Sequence, residues 1–187
     1  MIISILLTFL FAKVKRYKIL PVFKTVALYP LFTVELLYWF FQINTFMGNY
    51  RYIQYAPYLK NAYMLVLLVP IFMYRLYGPA LVGSGLVILG TILNKTAMHA
   101  NHGKMPMFPT LSRLTGYLNE NVILSGSDKI HVFGTSATKL KILTDYIDIG
   151  WSVLSIGDVF IHSFIIVITY FTIKAVNQKR QRIDSDT

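Results

Sequence analysis

Cysteine is absent from the 187 residues. That excludes disulfides, thiolate metal sites and a cysteine nucleophile, and with the last the cysteine-protease type of small membrane peptide processor. Acidic residues are scarce, 8 against 18 Lys and Arg. No histidine spacing resembles His-x-x-x-His on a helix or His-Glu-x-x-His, so His99, His102, His131 and Asp128 make a poor case for a metal. No internal repeat is visible, which counts against a small carrier built on Glu35 and Asp158. No cofactor is called for. The net charge is +10, yet the basic residues do not collect on one soluble face as nucleic-acid binding requires. They form two groups, Lys13, Lys15, Arg16, Lys18 and Lys24, then Lys174, Lys179, Arg180 and Arg182, each beside an apolar run. The expected partner is therefore membrane lipid, not nucleic acid.

Apolar residues are abundant. They make up 55% of the chain against 14% charged, with a mean hydropathy of +0.54, and several runs approach the ~20 apolar residues that cross a bilayer. The expected fold is an all-α integral membrane protein, one membrane domain over residues 1–187 with four to five transmembrane helices. Spans are placed at about 1–12, 26–43, 62–77, 80–93 and 151–173, with one long extracytoplasmic loop at 94–150. Residues 1–12 precede the basic segment KVKRYK, the reverse of a secretory signal, so they are expected to stay in the mature chain. Twelve helical residues rise only ~18 Å, a marginal span.

Gly78 and Pro79 predict the turn between the third and fourth runs. Gly83, Gly85 and Gly90 predict a packing face, because small residues let membrane helices approach closely. Within the loop, a Gly126 to Asp128 turn and a short amphipathic helix between Arg113 and Leu124 are expected. The positive-inside rule places both basic groups in the cytoplasm. With five spans the N-terminus and the loop are then extracytoplasmic and the C-terminus cytoplasmic.

The loop runs directly into the last apolar segment, and Asp145, Asp148 and Asp158 gather at that junction. A carboxylate inside hydrocarbon costs several kcal/mol and usually faces a protein interior or water. The same applies to Glu35 in the second run. Two neighbouring carboxylates cannot both ionise cheaply, so one pKa rises and the pair supplies an acid and a base to activate water. Asp145 and Asp158 are the candidate catalytic pair. Asn101, Gly103, Asp148, Ser155, His162 and Glu35 are candidate substrate-contacting or supporting residues, His162 lying four residues after Asp158 on one helix face. The competing expectation is structural: Ser155 and Asp158 cap the last helix, where free amides and the helix dipole favour them.

The segment Asn101-His102-Gly103-Lys104-Met105-Pro106, then Asp145, then Ser155-Ile156-Gly157-Asp158 together resemble a bacterial membrane family known only as a domain of unknown function. Its members carry Asn-Gly-Gly-basic-Met-Pro after a hydrophobic helix, a later Asp-x-Ile-Pro, and Ser-Ile-Gly-Asp at the start of the last helix. Order and spacing are similar over about residues 80–172. His102 stands where that family has glycine, and Asp148 where it has proline. The resemblance implies a polytopic protein of the bacterial plasma membrane and no particular activity.

Locally, Thr144-Asp145-Tyr146-Ile147-Asp148 and Leu154-Ser155-Ile156-Gly157-Asp158 are also similar to the two aspartate segments of lipoprotein signal peptidase. That likeness implies Asp145 and Asp158 as paired catalytic aspartates, and Asn101 with Gly103 as counterparts of its Asn-x-Gly motif. Ser155 replaces that family's Asn, and its Gly-Asn-x-x-Asp-Arg segment is absent upstream. Two functions follow as expectations. One is an aspartate-dyad membrane endopeptidase acting at the outer leaflet on a peptide or lipid-linked substrate. The other is a non-enzymatic accessory, immunity or assembly protein that binds a partner through the 94–150 loop.

Overall fold

The computed structural model describes residues 1–118 and 130–185. Its helices are α1 (Ile2–Val14), α2 (Tyr29–Phe46), α3 (Ala56–Val66), α4 (Leu68–Met73), α5 (Tyr77–Ala100), α6 (Leu111–Leu114) and α7 (Ile156–Ser185). Among the described residues three stretches are long and apolar enough to cross a membrane: Val26–Phe46, Tyr77–Ala100 and Ile156–Arg182. Two apolar helical stretches, Ile2–Val14 and Tyr58–Met73, are shorter. Large apolar side chains such as Leu36, Leu81, Val82, Ile88 and Ile92 lie exposed on the long helices, the pattern of a protein whose solvent is hydrocarbon. The expectation of an all-helical chain is corrected in one region. Among the described residues four short strands, β1 (Met105–Met107), β2 (His131–Phe133), β3 (Ile147–Asp148) and β4 (Val153–Leu154), lie between α5 and α7.

Three expected boundaries also shift, each for a local reason. The turn expected at Gly78 and Pro79 occurs at Tyr74 to Leu76, where Arg75 takes a left-handed φ of 53° and Leu76 N–H donates to Ile71 O at 2.9 Å. Gly78 and Pro79 instead fall in the first turn of α5, where proline's missing N–H is not needed and its fixed φ suits the helix. At its other end α5 continues to Ala100, beyond the expected limit of 93, because Asn94 to Ala100 contain no helix breaker. The last helix begins at Ile156 and not at Trp151. Gly150 takes φ +87° and turns the chain so that Val153–Leu154 pairs with Ile147–Asp148.

The described chain divides into two compact units. The first comprises residues 1–38, 57–86 and 162–187. Its core is apolar, with Ala12, Leu28, Leu31, Tyr63, Leu67, Ile165, Ile168 and Ile173 buried. Gly83 of α5 faces the ring of Phe164 of α7 so closely that a methyl group there would overlap it. Asn177 fastens this unit. Its amide donates to Ile173 O at 2.9 Å and Lys18 O at 3.0 Å, while its carbonyl accepts Lys18 N–H at 2.8 Å.

The second unit comprises residues 39–56 and 87–161. Tyr52 and Tyr55 of the 50–55 segment pack on α2, Tyr52 stacking on Phe41 at 5.5 Å. The described residues between α5 and α7 form a small head, and little of what is described there is apolar core: Met105 and Met107 are buried, while Leu114, Leu140 and Ile142 are exposed. The head holds together through polar fastenings. Here each satisfied buried group contributes about 1 kcal/mol and each orphaned one costs more. The helix expected between Arg113 and Leu124 does not form at 115–118, where Gly116 takes φ +73° and ends α6; the stretch beyond residue 118 and the Gly126 to Asp128 turn lie outside the described residues.

Candidate functional site

Asn101 closes α5. Its amide donates to Ala97 O at 2.8 Å and Lys139 O at 2.9 Å, and its carbonyl accepts Lys139 N–H at 3.0 Å. This repeats the fastening that Asn177 makes on Lys18. Gly103 donates its N–H to Met98 O at 2.8 Å, a helix-ending bond that requires left-handed backbone at the residue before it. His102 precedes it at φ 56°, a conformation glycine adopts without strain. Asn101 and Gly103 therefore end a helix and launch β1.

β1 is the centre of the head. It pairs in parallel with β2, Met105 opposite His131. Its other edge receives Asp145, whose N–H donates to Pro106 O at 3.0 Å and whose carbonyl accepts Phe108 N–H at 2.8 Å. Pro106 is tolerated in this central position because that edge uses only its carbonyl. The Asp145 carboxylate, 3% exposed, meets His131 Nε2 at 3.3 Å, with the imidazole 35% exposed.

Asp148 gathers four bonds. One carboxylate oxygen accepts Thr110 N–H at 2.6 Å and Ser112 N–H at 2.9 Å, and the other accepts the Ser112 hydroxyl at 2.6 Å and Gly150 N–H at 2.8 Å. Partial burial pushes its pKa up, but the Ser112 hydroxyl and the Ser112, Gly150 and Thr110 amides outweigh that and hold it below the ordinary aspartate value. Asp148 is thus the fastening that joins the start of α6 to the β3–β4 hairpin.

Ser155 and Asp158 open α7 reciprocally. Ser155 Oγ accepts Asp158 N–H at 2.9 Å, and Asp158 Oδ2 accepts Ser155 N–H at 3.3 Å. This is the capping-box arrangement, with aspartate in the third helical position. Asn94 of α5 completes it, donating to Asp158 Oδ1 at 3.2 Å and accepting the Ser155 hydroxyl at 2.7 Å. Between these residues α5 and α7 touch backbone to backbone. A methyl group on Gly157 would overlap Asn94 Oδ1 and Gly90 O, and one on Gly90 would overlap Gly157 O.

Two candidates belong to the other unit. Glu35 is buried in α2, where the Tyr63 hydroxyl of α3 donates to its Oε2. Its Oε1 is buried without a hydrogen-bond partner among the described residues. His162 lies half-buried on α7.

The structure therefore joins Asp158 with Ser155 and Asn94, and Asp145 with His131 and β1. Asp158 bonds the amide at the start of its own helix. No group of three or more His, Cys, Asp or Glu suited to a metal occurs among the described residues. Asn94 was missed from sequence. Its signal was an amide placed near the end of an otherwise apolar membrane helix, where an unsatisfied polar group is expensive.

Fold and fastenings together define the class: an integral membrane protein of long apolar helices carrying a small, hydrogen-bonded head. Within that class the chain belongs to the family of unknown function DUF5317, whose model matches residues 19–170. No curated protein and no solved structure matches the chain.

Proposed function

We propose that this chain is a non-enzymatic membrane protein of the plasma membrane, an accessory or assembly subunit that presents the head between α5 and α7 to a partner. The carrying observation is that the polar motif residues are spent on fastening. Asn101 and Gly103 end α5, Asp148 ties α6 to the hairpin, and Ser155 with Asp158 starts α7 against Asn94. An aspartyl peptidase needs two carboxylates that share a proton around one water. These two have different attachments. By the positive-inside rule the basic segments at 13–24 and 174–182 lie in the cytoplasm, which puts the head on the extracytoplasmic side if the apolar segments make five spans.

The test compares Asp145→Asn and Asp158→Asn in purified protein reconstituted in lipid. The proposal expects both to lower the melting temperature, with no peptide or lipopeptide of a bacterial membrane extract cleaved by the wild type. Cleavage by the wild type that is lost in both variants at unchanged melting temperature overturns it.

The His131–Asp145 pair supports a second reading, an enzyme in which a buried carboxylate orients a half-buried imidazole as general base. That reading requires His131→Asn to abolish a turnover that Asp158→Asn leaves intact.

A further inference from the structure

The segment Lys139-Leu140-Lys141-Ile142 is fastened through its backbone, with the Lys141 side chain over Phe108. Asn101 holds both backbone groups of Lys139, and Leu143 and Thr144 N–H donate to Leu140 O at 2.8 Å and Lys141 O at 3.1 Å. The segment is pinned, yet Leu140 is 47% and Ile142 64% exposed. Leu140 also holds a left-handed φ of 49°, a conformation that a bulky residue adopts only when the surrounding chain imposes it. Both flanking lysines are exposed, and Lys141 Nζ lies 4.4 Å from the Phe108 ring centroid. Large exposed apolar side chains alternating with cations are the pattern of a peptide that enters the boundary of an anionic bilayer.

The depth of the segment follows from its tether. α5 has 24 residues and rises ~36 Å, between the ~30 Å of hydrocarbon and the ~40–45 Å that includes the headgroups. Asn101, the first residue after α5, therefore falls in the headgroup layer when α5 spans. Its clamp holds Lys139 at that level. We propose that residues 139–142 are a lipid-contact element: Leu140 and Ile142 enter the acyl boundary, and Lys139 and Lys141 meet phosphate groups of anionic phospholipid. The ligand is the lipid surface, not free phosphate, because the apolar pair has no use for a soluble anion. The element sets how the head lies on the membrane, whatever the head then binds.

The absence of cysteine makes the test direct. Leu140→Cys and Ile142→Cys in the full chain are each labelled with a nitroxide and reconstituted in vesicles with or without phosphatidylglycerol in phosphatidylcholine. Gln181→Cys in the tail serves as the aqueous reference. Collision with oxygen and with a water-soluble nickel chelate then reports depth. The expected result is an oxygen-to-nickel ratio several-fold above the reference at both sites. It rises with phosphatidylglycerol and falls in Lys139→Gln/Lys141→Gln. Dispersal of the signal by added inorganic phosphate at constant ionic strength would assign the lysines to a soluble anion and overturn the lipid assignment.

A ratio equal to the reference in both lipids overturns the proposal. A high ratio indifferent to phosphatidylglycerol overturns the role of the lysines. Dipolar broadening that disappears on dilution with unlabelled chain assigns the segment to contact with a second copy and also overturns it. If cysteine at 140 disturbs the left-handed backbone, a tryptophan at 142 with Trp39 and Trp151 changed to Phe, quenched by brominated acyl chains or only by aqueous iodide, decides between the same outcomes.

Discussion

Gly157→Ala is the sharpest perturbation of the α5–α7 contact, because the added methyl group meets backbone and a committed side chain and not the end of a flexible one. It would overlap Gly90 O and Asn94 Oδ1, so the two helices must part. Overpacking of this kind costs ~1–3 kcal/mol, and disturbing the Asn94 bonds to Ser155 and Asp158 adds about 1 kcal/mol. The expected loss is thus ~2–4 kcal/mol, or roughly 5–15 °C in melting temperature for a chain of this length. Gly90→Ala probes the same contact from α5 and should behave alike. Gly85 has nothing within 4 Å of an added methyl; Gly85→Ala should therefore be neutral or slightly stabilising through reduced backbone entropy. Gly83→Ala should fall between, since it meets the movable ring of Phe164. The double variant Gly90→Ala/Gly157→Ala should lose less than the sum of the singles, because both act on one contact. Thermal melts of detergent-purified protein by circular dichroism or fluorescence-detected size exclusion provide the values. Wild-type melting of Gly157→Ala, or an equal loss in Gly85→Ala, would refute the crossing.

Further outcomes concern the head. Asp148 has its pKa lowered on folding, so its contribution is complete above the ordinary aspartate value and fades as the pH falls through the lower folded value. Asp148→Asn should remove that acid-side dependence and cost ~1–3 kcal/mol at neutral pH, since an amide cannot accept all four bonds; pH-dependent melts compare the two. Asn101→Ala and Asn101→Asp should both release the 139–141 backbone, Asp more so because it faces Lys139 O without a donor, and faster tryptic cleavage at Lys139 and Lys141 reads this out. His102→Gly should stabilise by ~0.5–1 kcal/mol, because φ 56° strains a residue with a Cβ and suits glycine. A fall in melting temperature would show that the imidazole makes a contact outweighing the strain.

Composition and hydropathy by themselves determined the membrane class, because a bilayer demands long apolar helices whatever the tertiary arrangement. Of the glycines of the fourth run, Gly83 and Gly90 were legible as packing positions for the same reason, Gly90 meeting Gly157 and Gly83 the ring of Phe164, whereas Gly85 faces open space. The capping of α7 was legible too, as one of two expectations for Ser155 and Asp158, since a capping box is local and its spacing is written in the chain. What the sequence did not contain was which carboxylate meets which partner. Asp145 bonds the backbone of β1 and Asp158 the amide of Asn94, and those bonds join residues 106 to 145 and 94 to 158. Such partners are brought together only by strand register and helix crossing. The role of Asp148 was hidden in the same way: three of its four donors come from Thr110 and Ser112, more than thirty residues upstream. Local spacing dictates caps, turns and spans, whereas the chemistry available to a buried acid depends on neighbours that only the folded chain supplies.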